Sequence, residues 1–550
     1  MMRELTDRVW GDPRFVSVSD RLRVAWIAAE IGVRYPDAPT LPELGKAVKA
    51  AAILACSDVP QHRHAAFRIA TSAYELYGTA DLPLDQAVRV VLARLGNFPS
   101  MLTRPGVGLA RKLLPVGLLA EEIEASDRRT VWMGGEPTVL TDFQHRLWLS
   151  LLGRGRVALT APTSAGKSFV LRRYIAAAFE APGAQSVMYL VPTRALITQV
   201  SQELRRGWVA AASGRPRPPQ VVTVPVDAAL APPTRAVYVL TPERAHAMLG
   251  AHPGLRADVV VVDEAHLVAD GARGVRLYGV LTDLLRRGPG SQFLFAGPGV
   301  GNLDVFGRVL GMPDVEPVRS LEPTVAQNIV LVQVTDPDAG DISVRLQADR
   351  DRRLPVAEIA LRRRTVTRIE KLSNIAAALG GGATNLIYAN GPADAEAIAS
   401  ALVRRLGPRP TTPERLELAR VARESVHRDY ALVDCARAGV AYHYSNMPAQ
   451  LRVAVERAVA AGVVDHLVCT STMLQGVNLP ARNIFMFRPE KGQYVPLNGA
   501  DFWNLAGRAG RLAKEFQGNI FLIDYDGWRL KPLTQPPPSR LWSRRSTAVS

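Results

Sequence analysis

Two kinds of apolar pattern alternate along this chain. Val157-Ala158-Leu159, Val259-Val260-Val261-Val262, Phe293-Leu294-Phe295 and Leu467-Val468-Cys469 are short unbroken runs. An uninterrupted β-branched run suits a parallel strand covered on both faces. Other segments place apolar residues three and four positions apart. Phe169 to Phe179, directly after the first run and its loop, is one of these, and it predicts a helix. In residues 1–128 the same spacing recurs, as in Gln61 to Gly78 and Leu84 to Leu95, with Pro, Gly and Asp as punctuation. That region reads as helical and shows no chemistry of its own. Strand, tight loop and helix in succession predict an α/β fold beyond it.

The loop after the first run is Ala161-Pro162-Thr163-Ser164-Ala165-Gly166-Lys167-Ser168. It ends in Gly-Lys-Ser between a strand and a helix, the arrangement of a phosphate-binding P-loop. Successive backbone N–H groups can cradle phosphate oxygens, and the helix N-terminus adds its partial positive charge. Lys167 can reach the outer phosphates, and Ser168 can place a hydroxyl on Mg²⁺. Ala161 stands where the usual pattern begins with Gly. About a hundred residues on, the valine run ends in Asp263-Glu264-Ala265-His266. A carboxylate at the carboxyl end of a parallel strand lies where ligands of open α/β sheets sit. Asp263 suits the metal, and Glu264 suits orienting and deprotonating an attacking water.

These two motifs in this order resemble a superfamily 2 helicase of the DExH type, and further segments extend the resemblance. Gln144, 23 residues before Lys167, resembles the family's adenine-reading glutamine. Val191-Pro192-Thr193-Arg194-Ala195-Leu196 resembles motif Ia, and Thr241-Pro242-Glu243-Arg244 resembles motif Ib. Asn385 to Asn390 resembles the strand of motif IV. Thr470 to Pro480 resembles motif V, and Asn504-Leu505-Ala506-Gly507-Arg508-Ala509-Gly510-Arg511 resembles motif VI. The wording of motifs V and VI is closest to the Ski-like branch.

The resemblance covers residues 135–530. It implies two tandem RecA-like P-loop domains, parallel sheets with helices on both faces, at residues 129–320 and 321–530. A helical accessory domain at 1–128 precedes them, and a tail at 531–550, rich in Pro, Ser and Arg, is expected to be disordered. It also implies ATP on Gln144, Thr163, Ser164, Ala165, Gly166, Lys167, Ser168 and Gly476, with Mg²⁺ on Ser168 and Asp263. The catalytic set is Lys167, Asp263, Glu264, Arg508 and Arg511. Thr193, Arg194, Thr241, Arg244 and Thr470 are the candidates for contacts to the nucleic-acid backbone. Arg508 and Arg511 are three apart and share a helical face. The family places that face across a cleft from the P-loop, where an arginine finger is worth roughly 10³–10⁵-fold in rate.

The activity implied is an ATP-dependent helicase or translocase on single-stranded or tailed nucleic acid, DNA ahead of RNA, moving 3′ to 5′. The alternative is an ATP-gated clamp that recruits a partner such as a nuclease without unwinding. Two departures keep it open. The family's Ser-Ala-Thr of motif III is replaced by Ala296-Gly297-Pro298-Gly299, without either hydroxyl. Ski-like helicases also continue into a winged helix and a ratchet domain, whereas about forty residues follow Arg511 here. The N-terminal domain, a separate subunit or a longer parent chain would supply what is missing. Met486 to Leu497, with Lys491, Gly492 and Tyr494, is a weak candidate for the strand-separating hairpin.

Composition changes the picture little. The net charge of +16 favours a polyanionic partner through phosphate contacts. Eight lysines against 59 arginines fit a GC-rich genome equally well. Cys56, Cys435 and Cys469 are too far apart for metal-ligand spacing and suggest a reducing interior. Met1 to Asp7 lacks the apolar core of a signal peptide, and no stretch approaches the ~20 apolar residues a span needs. A cytoplasmic protein with no membrane partner is expected. His62 and His64 read as surface residues, and the Arg- and Asp-rich stretch from Arg345 to Arg364 reads as a solvated linker rather than a strand-contacting insertion.

Overall fold

The computed structural model describes residues 2–78, 82–102, 104–133, 135–161, 165–180, 186–210, 218–269, 271–297, 304–320, 325–349, 351–471, 479, 481–492, 494–510 and 515–534. These residues divide into two compact units. One is 129–320; the other joins 2–128 to 325–534.

The first unit is built on seven strands: β1 Arg156–Thr160, β2 Ser186–Leu190, β3 Gln220–Val222, β4 Ala236–Leu240, β5 Val259–Val262, β6 Gln292–Gly297 and β7 Val315–Arg319. Their order is β3-β4-β2-β5-β6-β1-β7, and every pairing is parallel. The valine run shows why. Val259 and Val261 join a core with Leu147, Leu171, Ile175 and Leu294 on one face. Val260 and Val262 join another with Met248, Leu281, Phe293 and Phe295 on the opposite face. Side chains alternate across a strand, so a run apolar at every position is buried on both sides.

The second unit carries β8 Ala326–Asp336, β9 Asp341–Gln347, β10 Arg353–Ala360, β11 Asn385–Tyr388, β12 Val440–His443, β13 His466–Cys469, β14 Asn483–Phe487 and β15 Gln517–Ile523. The order is β10-β9-β8-β15-β14-β11-β13-β12. The five pairings from β8 to β12 are parallel, and β8-β9-β10 is an antiparallel meander added at one edge. The stretch expected as a solvated linker is therefore mostly sheet: Leu346 pairs with Leu354 and Val344 with Ala357. Val344 and Leu346 are buried while Arg345 between them is exposed. The high arginine content masked a period-two pattern with one wet face.

The helices Pro13–Glu30, Leu41–Leu54, Pro60–Tyr77 and Leu82–Arg94 of the N-terminal region pack together and against this second sheet. His62 differs from its surface expectation. It is buried, its Nδ1 lies 3.0 Å from the Ser57 hydroxyl, and its ring stands 4.9 Å from that of Trp10. His64 is exposed. Residues 531–534, expected as the start of a disordered tail, include a short turn, Pro532–Thr534, in which Leu533 N–H donates to the Tyr525 hydroxyl at 2.9 Å. Residues 535–550 lie outside the described residues.

A row of buried amides crosses the second sheet near the starting ends of its strands. Asn328, Asn519, Asn483, Asn385 and His466 are register partners on β8, β15, β14, β11 and β13. Asn328 Nδ2 donates to Asn519 Oδ1 at 3.2 Å and to Gln517 Oε1 at 3.1 Å. Asn519 Nδ2 donates to Asn483 Oδ1 at 3.0 Å, and Asn483 Nδ2 to Asn385 Oδ1 at 2.9 Å. Asn385 Nδ2 reaches His466 Nε2 at 3.2 Å. Burial, with the charges of Arg409 and Arg415 behind it, pushes the His466 imidazole down to about 3, so it stays neutral. At the other end Gln517 Nε2 donates to Ser72 Oγ of the N-terminal helices at 2.8 Å. Asn519, Asn483 and Asn385 each donate to one neighbour and accept from the other, which satisfies polar groups that burial would otherwise penalise. Asn483→Ala leaves a buried donor and a buried acceptor unmet and should lower stability by about 2–3 kcal/mol. A denaturant titration that shows the wild-type midpoint for this variant would reject the row as a stabilising element.

Candidate active site

β1 runs into the phosphate loop, whose described part closes on Ala161, Ala165 and Gly166. Gly166 has φ +78°, a left-handed conformation that residues with a Cβ rarely adopt. The helix Lys167–Glu180 starts immediately afterwards. Lys167 is buried, and its Nζ donates to the Ala161 carbonyl at 2.6 Å. Ser168 is half-buried beside it. Thr163 and Ser164 lie outside the described residues, as do Gly476 of motif V and Arg511 of motif VI.

β5 ends at Asp263, whose N–H donates to the Leu190 carbonyl of β2 at 2.9 Å. Asp263 Oδ1 accepts the Glu264 N–H at 3.0 Å, and Glu264 turns out of the strand with φ +52°. A non-glycine residue in that region marks local strain of the kind found at functional sites. Glu264 Oε2 is enclosed without a hydrogen bond; His266 Nδ1 stands 3.2 Å from it, outside bonding geometry. A cavity of about 20 Å³, room for one water, adjoins Asp263 and Glu264 against Pro192, Pro242 and Leu267. The ends of β2, β4 and β5 thus bring motifs Ia, Ib and II together.

One ammonium and two carboxylates act on one another across this end of the sheet. Burial pulls Lys167 down from its usual value, with Glu264 and Asp263 opposing. Burial, and then the Glu264 charge, push the Asp263 carboxyl up to about 7 against the pull of Lys167. A buried Asp263 carboxyl beside an enclosed, unbonded Glu264 oxygen fits a divalent cation, which would favour the ionised Asp263. Among the described residues no group of three or more His, Cys, Asp or Glu gathers as a metal cage.

Gln144 stands next to the phosphate loop. It is buried in the cap of the helix Asp142–Leu152. Its Oε1 accepts the Thr141 N–H at 3.2 Å, and its Nε2 donates to the Ala165 carbonyl of the phosphate loop at 3.2 Å. The glutamine ties the helix cap to the loop. Among the backbone-contact candidates, Arg194 is exposed and Thr193 half-buried at the start of the helix Arg194–Ala210. Thr241 is buried and caps the helix Pro242–Ala251 by accepting from Arg244 N–H. Arg244 Nη1 folds back onto the Thr223 carbonyl at 2.6 Å. In the second unit Thr470 is buried, and its N–H donates to the His443 carbonyl at 3.3 Å.

Arg508 follows the helix Gly499–Ala506 and is buried. It lies close enough to the end of β13 for its charge to oppose the burial that pushes the Cys469 thiol up to about 12. Its carbonyl accepts the Ala481 N–H at 3.1 Å, and Gly510 N–H returns to the Ala481 carbonyl at 2.8 Å. Gly510 has φ +85°, and a Cβ there would come within 2.3 Å of Val325. Sequence reasoning missed the Ala481 tie, the Gln144 bond to Ala165 and the approach of His266 to Glu264; only the last had a signal, the two-residue spacing of the acidic motif. The hairpin Glu490–Lys491 with Val495–Pro496 lies within the expected wedge segment, with Tyr494 82 % exposed.

Two parallel α/β units, one carrying a phosphate loop and an acid pair, define a helicase core of the P-loop nucleotide-hydrolase class. The family model for DEAD/DEAH box helicases matches residues 141–296, and that for the helicase conserved C-terminal domain matches residues 421–513. ATP-dependent DNA helicase Hel308 of Methanocella arvoryzae is 25% identical over 330 residues, 56% of this chain and 41% of its own. Anti-bacteriophage protein B of Escherichia coli is 23% identical over 397 residues, 70% of this chain and 47% of its own. The crystal structure of the DUF1998 helicase MrfA bound to DNA aligns with a TM-score of 0.50 at 15% identity, over 70% of this chain and 46% of that one. The chain thus carries the DEAD/DEAH box helicase domain and the helicase conserved C-terminal domain, which its superfamily 2 relatives share. It spans less than half the length of the relatives named above. No helix among the described residues is long and apolar enough to cross a membrane.

The Asp263 environment gives a signed expectation. Its folded pKa lies above the ordinary 3.8, so the folded state holds the proton more tightly than the unfolded chain, and stability falls as pH rises from about 4 through about 7. Asp263→Asn should therefore raise the melting temperature of the nucleotide-free protein more at pH 8 than at pH 5. An equal shift at both values would mean that the carboxylate is not the source of the cost.

Proposed function

We propose that this protein is an ATP-hydrolysing motor that moves along single-stranded nucleic acid, DNA ahead of RNA, in the 3′ to 5′ direction. The observation that carries the reading is the enclosed set of Lys167, Asp263 and Glu264 at the carboxyl end of a parallel sheet, under a phosphate loop. Bound magnesium supplies charge neutralisation and polarisation at the transferring phosphoryl group. The chain's own residues do the rest. Lys167 exchanges the Ala161 carbonyl for phosphate oxygens. Gln144 keeps the loop in register through Ala165. Glu264, its Oε2 enclosed and unbonded, takes the proton of the attacking water. Arg508 and Arg511 supply the positive charge that the developing transition state needs.

Arg194 is the first candidate for a backbone contact, because its side chain is exposed, whereas Arg244 is tied to Thr223. Such contacts hold a strand without reading its sequence. The name of the Hel308 relative supports DNA as the polymer, and the wording of motifs V and VI supports a Ski-like motor. The likeness to anti-bacteriophage protein B supports a role in defence against bacteriophage. The second reading, a clamp that recruits a nuclease without unwinding, is favoured by one observation: the missing hydroxyls from the end of β6 onward, where Ala296-Gly297-Pro298 stands for the family's Ser-Ala-Thr.

Steady-state ATP turnover should rise sharply with single-stranded DNA and fade as salt increases, since neutralised phosphates release counterions. Turnover that ignores every polymer at low salt would remove the motor reading. A strand-displacement assay separates the two proposals, because a clamp binds tailed DNA more tightly with a non-hydrolysable analogue and releases nothing. Lys167→Ala should abolish turnover. Glu264→Gln should retain ATP binding and lose hydrolysis by about a hundredfold or more. Free hydrolysis by the second variant would mean that another group is the base.

A further inference from the structure

The second unit holds its motif VI backbone through one residue that no helicase motif includes. Arg482 directly follows Ala481, and Ala481 is the residue bonded in both directions to Arg508 and Gly510. The Arg482 guanidinium leaves the sheet and enters the N-terminal helices. Its Nε donates to Glu30 Oε2 at 2.7 Å and its Nη2 to Glu30 Oε1 at 2.7 Å, a two-pronged pair at the end of the helix Pro13–Glu30. Glu75 Oε2 of the helix Pro60–Tyr77 lies 3.5 Å from the same nitrogen, and the Trp26 indole N–H holds Glu75 from the other side at 2.7 Å. The Trp26 ring lies 5.6 Å beneath the guanidinium. All three charged side chains are less than a quarter exposed.

The same helices hold the chain beyond motif VI. Phe516 stands edge-on to Phe67 and Tyr74, with the Arg104 guanidinium 4.3 Å over its ring. Gln517 bonds Ser72, and Arg68 donates to the Gln327 carbonyl while Gln327 Nε2 donates to the Ala506 carbonyl at 3.0 Å. Motif VI is therefore fastened at Ala506 through Gln327 and at Arg508 and Gly510 through Ala481, the neighbour of Arg482, and the chain beyond it is held at Phe516.

We infer that the N-terminal helical domain sets the position of Arg508, with Arg482 as the positioning residue that transmits the hold of Glu30 and Glu75 to Ala481 and so to the motif VI backbone. This rests on the proposed role of Arg508 in hydrolysis. A bidentate guanidinium–carboxylate pair fixes both distance and plane, so Lys at 482 keeps the charge and loses the registration. Anything that shifts these helices, a partner bound to them included, changes turnover without touching the nucleotide site.

The full-length protein tests this in two readouts. In polymer-stimulated turnover, Arg482→Met should lower kcat by about tenfold or more with KM for ATP within about twofold, since a displaced catalytic group costs rate rather than ground-state binding. Glu30→Gln should act in the same direction, the double variant should be no worse than Arg482→Met, and Arg482→Lys should recover only part of the rate. Arg23→Met is the control: it removes another contact of the same helices, to the Gln347 and Ala348 carbonyls at the end of β9, a strand that carries none of the ties to motif VI, and should leave kcat unchanged. The second readout is amide hydrogen exchange over Leu505 to Gly510, which needs no activity and should quicken in Arg482→Met but not in Arg23→Met. Unchanged exchange in folded Arg482→Met overturns the inference, as does an equal loss of kcat in Arg23→Met. A wild-type protein with no turnover would sink the motor reading alone, and the exchange experiment would still decide the coupling.

Discussion

A strand buried on both faces has nowhere to put a charged side chain except at its ends, and both sheets obey that constraint. In the first sheet the interior of β5 is four valines, and the two acids appear where the strand emerges. β1 does the same for Lys167. The groups needed for phosphate chemistry converge because parallel strands all emerge on one side. The energetic consequence is visible in Asp263, whose carboxyl is pushed up to about 7. The strained turn at Glu264 and its enclosed oxygen belong to the same arrangement. The local structure holds charge in a place that folding alone would not choose.

The second sheet uses its opposite strand ends differently. Five register partners there are polar and buried, and they are tolerable only because each amide meets the next. The row fixes strand register, since a slip of one residue would turn every amide to the other face. It also joins the sheet to the N-terminal helices through Gln517 and Ser72. Together with the Arg482 pair and the Phe516 cluster, it makes those helices part of the second unit's architecture rather than an appendage.

Much of the nucleotide site was legible from local pattern. A loop between a strand and a helix, ending in Gly-Lys-Ser, constrains its own backbone, and a valine run ending in two acids predicts both burial and emergence. The side-chain partners were not legible, because they depend on what lies opposite. Gln144 is spaced as a base-reading glutamine, yet both ends of its amide are engaged by Thr141 and Ala165. Arg244 sits in a backbone-contact motif, yet its guanidinium closes on Thr223. His62 lies between Gln61 and Arg63 and reads as surface, yet Ser57 and Trp10 enclose it. The Arg345 to Arg364 stretch hid two strands, because at a sheet edge every second residue is free to be charged.

The sequence by itself determined the class of fold, the order of the motifs and the identity of the phosphate-loop lysine and acid pair. Those follow from backbone propensity and apolar periodicity over a few residues. Only the tertiary structure decided which polar groups answer one another across hundreds of positions: Arg482 with Glu30, Gln517 with Ser72, and Asn328 with Asn519. The reason is that an apolar residue needs only burial, which its neighbours in sequence announce, whereas a buried polar residue needs one particular partner at hydrogen-bond distance. The folded chain alone supplies that partner.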